Sequence, residues 1–454
     1  MSRVFPSFDP ATLEPIGEVE RTDVKAVGLV VERARAAAPA WRGLGVEARR
    51  DVLRRAQPLL MDQVEAIGEL LTREMGKPLR EATGEVRACA RGLGEGLDEM
   101  VAALQPETLR DERTHTVRYR DPFGVAAVIT PWNFPVSMPH GMVIPALMAG
   151  NTVVLKPSEE TPLVAAAWAE ILCSVLPTDV LQVVQGDEAQ GRALVAADVD
   201  LVAFTGSREA GAQILSAAGH GLKRVVLELG GKDPLVVLDD ADVEAAAAFA
   251  VRNSFRNAGQ VCVSTERIYV AEPIADAFEA RVIALARELV VGPGLEPDTD
   301  VGPMINARQK GRVLSQIRSA VGQGARLHLG GEEGEGNWLH PTVLTGVDHR
   351  MEIMREETFG PVACLMRFSE DREAIRLAND TPFGLGAVVF SGDDERGWAV
   401  ARRLEAGMVG LNRGVGGARG APWVGAKQSG YGFHSGIEGH RQFAQVRIVS
   451  VPTS

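Results

Sequence analysis

Apolar positions recur with a helical period through the first hundred residues and then give way to short, continuous apolar runs. Thr22-Asp23 caps a predicted helix over 22–38; longer helical patterns cover 46–74, stopping at Met75-Gly76-Lys77-Pro78, and 79–104, weakened by Gly92, Gly94 and Gly96. Residues 114–120 alternate polar and apolar side chains, which predicts a strand with two wet faces, an exposed arm or an edge. From Gly124 onward, strands are predicted at 125–130, 152–156, 181–184, 201–204 and 224–228, with helices at 142–148, 163–176, 188–196 and 208–218 between them. Continuous apolar strands separated by helices imply a parallel sheet covered on both faces, doubly wound, with ligands at the carboxyl ends of its strands. A second alternation follows Pro234: strands at 235–238 and 267–270, helices at 243–255 and 274–289, and later strands at 362–368, 386–390 and 408–411. The Gly-rich 414–420 reads as a loop, and 445–451 as a strand that pairs with 114–120. The pattern therefore predicts an α/β protein with two α/β domains and a small strand pair.

Composition narrows the function. The 454 residues are 45% hydrophobic and 24% charged, a globular balance, and a net charge of −12 gives no global attraction for nucleic acid or an anionic membrane. No apolar stretch reaches the roughly 18–20 residues of a membrane span, and residues 1–10 lack the basic and apolar regions of a secretory signal. Four dispersed cysteines (Cys89, Cys173, Cys262, Cys364) form no C-x-x-C pair, so neither a metal site nor a disulfide framework is expected, and a reducing, cytoplasmic setting is the simplest reading.

Candidate chemistry clusters at the predicted strand ends. No G-x-G-x-x-G is present; the nearest phosphate cradle is Phe204-Thr205-Gly206-Ser207, opening the helix that holds Gly211. Pro131-Trp132-Asn133-Phe134-Pro135 pins an amide where it can meet a developing oxyanion. Lys156 and Glu159 offer a cation and a carboxylate to ribose hydroxyls. Glu228-Leu229-Gly230-Gly231-Lys232 places a carboxylate after a run of apolar residues (Val225-Val226-Leu227), where desolvation suits it to general-base work. Cys262, in Gly259-Gln260-Val261-Cys262-Val263, is the best candidate nucleophile of the four cysteines. Glu356-Glu357-Thr358-Phe359-Gly360-Pro361 offers carboxylates and a ring to a nucleotide. Taken singly, each segment is equally a helix cap, a turn, a surface ion pair or a core side chain.

In this order and together, the six segments resemble the aldehyde dehydrogenase family, over nearly the whole chain. The separation of 34 residues between Glu228 and Cys262 is similar to the family's pattern, as are Asn379–Leu385 and Lys427-Gln428-Ser429-Gly430-Tyr431-Gly432. The resemblance implies a doubly wound cofactor domain (1–105, 124–231 and 425–440), an α/β catalytic domain (232–424) and a β oligomerisation arm (106–123 and 441–454), assembled as a homodimer or homotetramer. It implies oxidation of an aldehyde to a carboxylic acid, with NAD preferred and NADP as the alternative. Cys262 would form a thiohemiacetal and then a thioester, Asn133 would hold the oxyanion, and Glu228 would activate the hydrolytic water. Trp132, Lys156, Glu159, Thr205, Gly206, Ser207, Gly211, Leu229, Gly230, Glu357 and Phe359 would bind the dinucleotide. Phe134, Met138, Gly141, Arg256, Val261 and Val263 would line the substrate path.

The chain also departs from the pattern. Gly141 and Met142 stand where many relatives carry an aromatic or basic residue. Arg256 resembles a carboxylate-binding arginine of succinate semialdehyde dehydrogenases, but its partner would fall at Gly141, leaving the clamp incomplete. Asp233 replaces a common small residue and Trp423-Val424 a common Phe-Gly; neither is expected to touch the chemistry. The alternatives are a coenzyme A-acylating semialdehyde dehydrogenase, which Glu228 disfavours, and a non-catalytic relative, which the presence of Cys262, Glu228 and Asn133 together disfavours.

Overall fold

The computed structural model describes residues 4–453. Its first sheet is built from β1 (Val125–Ile129), β2 (Thr152–Lys156), β3 (Leu181–Val183), β4 (Leu201–Gly206) and β5 (Arg224–Leu229), all parallel, in the order β5-β4-β1-β2-β3. Every residue of β1 and β2 is buried, as expected of strands covered on both faces. Helix α1 (Ser137–Ala149) follows β1, and α2 (Arg208–Gly219) follows β4. A sixth strand, Gly430–Tyr431, returns from far along the chain and pairs antiparallel to β5 with Gly430 opposite Glu228.

The second sheet has seven strands. They are β6 (Asp233–Val237), β7 (Thr265–Ala271), β8 (Arg326–Leu329), β9 (Thr342–Thr345), β10 (Val362–Phe368), β11 (Gly386–Phe390) and β12 (Met408–Leu411), in the order β8-β9-β10-β7-β6-β11-β12. Only the edge strand β8 is antiparallel. Helix α3 (Val243–Phe255) links β6 to the segment that carries Cys262. The two sheets are continuous in sequence through Gly230-Gly231-Lys232, so the carboxyl end of β5 lies beside the start of β6.

Several elements differ from the sequence expectations. The first hundred residues are not all helical: Val4–Phe8 and Pro15–Glu20 form an antiparallel hairpin, whose mostly exposed, proline-containing strands carry little apolar pattern. The predicted helix 46–74 is three helices, Val46–Arg54, Ala56–Asp62 and Val64–Met75, because the chain bends at Arg55 and Gln63 while the apolar face continues. The span between 289 and 362, to which the pattern assigns no element, contains helix Ala307–Gly322 and strands β8 and β9, each only four residues long. The predicted strand pair is a three-stranded sheet, Ala444–Pro452 and Glu107–Arg110 flanking Thr114–Pro122.

Candidate active site

Three successive residues before the candidate nucleophile, Asn257, Ala258 and Gly259, have left-handed φ values of 51°, 54° and 70°. A Cβ at position 259 would come within 2.0 Å of the Gly360 carbonyl oxygen, so only glycine fits there. Gln260 locks the turn: its Nε2 donates to the Asn257 carbonyl (3.1 Å) and its Oε1 accepts from the Ile305 N–H (2.9 Å). Strained backbone of this kind persists only where its surroundings over-determine it. The turn delivers Cys262 to a cleft of about 150 Å³ between the two sheets, bordered also by Glu228 from the end of β5 and by Asn133 from the turn after β1.

The cleft holds three ionisable groups that burial disturbs. Glu228 is 4% exposed, and loss of water raises its pKa to about 7; the Trp423 indole N–H, which donates to Oε1 at 3.2 Å, works in the opposite direction, as does the neighbouring Cys262 thiol. Oε2 of Glu228 is buried without a hydrogen-bond partner among the described residues. The Cys262 thiol is pushed well above its usual range by burial and by the carboxyls of Glu228, Asp233 and Glu357, so it rests protonated. Burial and the Glu266 carboxylate push Glu357 up to about 8, against a hydrogen bond from the Gly231 N–H (3.1 Å). Asn133 spends one amide hydrogen on the Gln260 carbonyl (3.0 Å), and its Nδ2 carries a second.

The dinucleotide residues expected from sequence fall into two groups. Trp132, Thr205, Gly206, Ser207, Leu229, Gly230, Glu357 and Phe359 border the same cleft. Trp132 and Phe359 meet edge to face with ring centres 5.5 Å apart. Ser207 caps α2, its Oγ accepting from the Ala210 N–H (3.2 Å), so the positive end of a twelve-residue helix faces the cleft. The glycines hold the walls close: a Cβ would come 2.5 Å from Leu229 at Gly211, and 2.4 Å from the Glu357 carboxyl at Gly230. Lys156 and Glu159 pair with each other at 3.1 Å away from this cleft, and Glu159 opens on a second groove shared with Phe5, Arg21 and Asp187. A hydroxyl-capped helix start, carboxylates for ribose hydroxyls and a glycine-lined wall together fit a nicotinamide dinucleotide.

Of the residues expected along the substrate path, Phe134 and Met138 border the cleft. Arg256 does not: it faces a separate groove with Arg80, Glu81 and Arg252, lies 3.8 Å from the Glu81 carboxylate, and has its guanidinium 5.5 Å from the Phe134 ring centre. Gly141 faces His434, 3.8 Å from where its Cβ would stand; Val261 is buried and Val263 half-buried, and neither borders the cleft.

The expectation that positions 233 and 423 stand clear of the chemistry is corrected. Pairing of Gly430 with Glu228 brings the preceding ribbon over the carboxyl, and Trp423 bonds it directly. Asp233, buried with its own pKa raised well above the usual range, lies under the Gly230-Gly231 turn and acts on the thiol.

Other supporting residues escaped the sequence reading. Lys77, which there merely ended a helix, is buried, pairs with Glu85 at 2.7 Å, donates to the Asn133 carbonyl at 2.7 Å and sits 4.0 Å over the Phe134 ring. Glu85 in turn accepts from the Val136 and Ser137 N–H groups. Glu266, paired with Lys232 at 2.5 Å, accepts from the Thr358 and Phe359 N–H groups (2.8 Å each) and so fixes the loop that presents Glu357. A lysine and glutamate eight residues apart at a helix start was the one available signal for the first pair; nothing marked Glu266.

Comparison with known proteins agrees with this geometry. The model of the aldehyde dehydrogenase family matches residues 1–449. The chain is 39% identical over 455 aligned residues (98% of this chain, 92% of the relative) to a probable succinate-semialdehyde dehydrogenase, NADP(+), of Sinorhizobium fredii. It is 38% identical to a glutarate-semialdehyde dehydrogenase of Pseudomonas putida, covering 98% of this chain and 93% of the relative. The crystal structure of succinate-semialdehyde dehydrogenase from Burkholderia pseudomallei superposes with a TM-score of 0.96 at 39% identity, covering 99% of this chain and 95% of that one. The chain therefore belongs to the aldehyde dehydrogenase family and is an oxidoreductase for the NAD(P)-dependent conversion of an aldehyde to a carboxylic acid.

Proposed function

We propose that the protein is a hydrolytic aldehyde dehydrogenase in which Cys262 is the nucleophile, Glu228 the general base and Asn133 the oxyanion donor. The observation that carries this assignment is the meeting of a half-buried cysteine and a buried carboxyl, one of whose oxygens has no hydrogen-bond partner among the described residues, in the cleft that also holds the Asn133 amide. The resting thiol is protonated, and Glu228 is the neighbouring carboxyl able to take its proton as sulfur attacks the aldehyde carbon. Asn133 then donates to the oxygen of the thiohemiacetal. When bound, the dinucleotide supplies the hydride acceptor. Glu228 gives up the thiol proton to solvent, then removes a proton from the water that cleaves the resulting thioester and passes it to the departing sulfur, returning the acid product and the free thiol.

The same reading prefers NAD to NADP, because Glu159 offers a carboxylate to a 2′-hydroxyl and repels a 2′-phosphate; two such charges about 4 Å apart cost on the order of 1–4 kcal/mol. It assigns 1–105, 124–231 and 425–440 to cofactor binding, 232–424 to chemistry, and 106–123 with 441–454 to assembly as a dimer or tetramer. The exposed apolar residues Val446, Ile448, Val449 and Val451 on the last strand support the assembly role. Residues 1–3 and 454 lie outside the described residues. For a semialdehyde, Arg256 is the cation the resemblance offers, although it faces the neighbouring groove; Gly141 supplies none, and buried His434, its pKa lowered to about 4 by desolvation, is neutral.

The test is a panel of straight-chain aldehydes, aromatic aldehydes and semialdehydes with NAD+ and NADP+, followed by absorbance of the reduced cofactor. Wild-type protein turns over at least one class, and Cys262→Ala turns over none. Wild-type turnover by Cys262→Ala removes the assignment.

A further inference from the structure

Among the described residues, the carboxyl of Glu228 is anchored at one oxygen. Oε1 accepts from the Trp423 indole N–H, and Oε2 is buried without a partner among the described residues. Trp423 belongs to a two-stranded ribbon, Trp423–Val424 against Phe433–His434, in which Trp423 lies directly opposite His434. Their rings lie 6.5 Å apart at an interplanar angle of 28°. A cross-strand ring pair restricts the rotamers of both side chains, so the indole N–H is presented in a fixed direction. The ribbon is tied to the carboxyl a second time, through the pairing of Gly430 with Glu228, and Ser429 donates to the Gly230 carbonyl at 2.7 Å. The backbone on both sides of Glu228 and one of its oxygens are thus fixed by the same 423–434 segment.

We propose that Trp423 is a positioning residue for thioester hydrolysis, holding Oε1 of Glu228 so that Oε2 is the atom that takes the proton of the attacking water. The inference rests on the assignment of Glu228 as the base. In the step itself, the water oxygen bonds to the thioester carbonyl carbon while one water proton passes to Oε2. Collapse of the tetrahedral adduct breaks the C–S bond, the acid departs, and the sulfur of Cys262 recovers its proton from the Glu228 carboxyl. No oxidant or further reactant is needed.

A donor on a carboxylate favours its charged form, so the indole also makes Glu228 a base at lower pH than burial alone would allow. The other titratable groups nearby are the Cys262 thiol, with Glu357 and Asp233 beyond it, and His434 behind the indole.

Trp423→Phe keeps a ring in the stack and deletes the N–H. The expected result is an acid limb of kcat moved up by about one pH unit, as loss of a hydrogen bond to a charged group requires, and kcat at pH 7 lowered about tenfold. Hydrolysis becomes slower than acylation, so reduced cofactor appears in a stoichiometric burst, while KM for aldehyde and cofactor changes little. An unmoved acid limb and no burst in Trp423→Phe, with Glu228→Gln inactive in turnover, makes Trp423 a packing residue and overturns the inference alone. Full turnover by Glu228→Gln overturns the base assignment and the inference with it. If Trp423→Phe does not fold, wild-type protein labelled with 15N-tryptophan decides: one indole resonance titrates with the midpoint of the kcat limb and ceases to titrate in Glu228→Gln. Absence of any such resonance overturns the proposal.

Discussion

Glu228 and Glu159 are both carboxylates placed near strand ends of the same sheet, and the structure puts them in opposite circumstances. Glu228 is 4% exposed, has one oxygen without a partner among the described residues, and has its pKa raised to about 7. The Glu159 side chain is 41% exposed and neutralised by Lys156 at 3.1 Å. Desolvation suits the first to gaining and losing a proton, the role proposed for it, while the second lies within reach of water and of a ligand's hydroxyls. In the proposed assignment, the same residue type in the same fold serves as a base at the dry end and as a ligand at the wet end.

The comparison is broken most severely at the dry end. Glu228→Gln should lower steady turnover by about 10²–10⁴, the usual share of a general base. In wild-type protein kcat should rise with pH through about 7 as the carboxyl ionises, and the variant should lack that limb; a pH–rate profile of both proteins checks the sign. Support of the dry end is the next target. Lys77→Met strands the buried Glu85 carboxylate beside the Asn133 turn, a change expected to cost about 3–5 kcal/mol, seen as a lower midpoint in denaturant. Glu357 lies between the extremes: it is half-buried, desolvated in the same cleft as Glu228, but is assigned to a ribose like Glu159. Its pKa of about 8 predicts that KM for the cofactor falls as pH rises through that value. Glu357→Gln should abolish this dependence and raise KM about tenfold, the worth of a charged hydrogen bond. The smallest effect is expected at the wet end: Glu159→Ser should improve kcat/KM for NADP+ by about tenfold or less, since the exposed charge it removes is partly screened.

How much of this was legible in the sequence follows the same division. The strands of the first sheet read clearly because burial on both faces leaves an unbroken apolar run, as in β1 and β2. Glu228 and Asn133 were visible because each follows such a run at the sheet's carboxyl edge, and Cys262 because glycine stands three residues before it. What could not be read was contact between distant segments. Lys77 and Glu266 hold the catalytic turns from 56 and 92 residues away, through backbone groups that carry no sequence signal. Trp423 was seen as a departure, but the 195 residues between it and Glu228 hid the hydrogen bond that gives the departure meaning. The N-terminal hairpin was missed for the opposite reason: its strands are too exposed to leave a pattern.

The central claim is that acyl transfer to Cys262 and release by Glu228 are separable steps at one pair of neighbouring side chains. Its most direct test is rapid mixing of Glu228→Gln with cofactor and the best aldehyde of the panel, with intact-protein and peptide mass spectrometry of the quenched product. The account predicts one burst of reduced cofactor per active site, then near-arrest, with the acyl mass on Cys262. Continued turnover at the wild-type rate, or an acyl mass on any other residue, would contradict it.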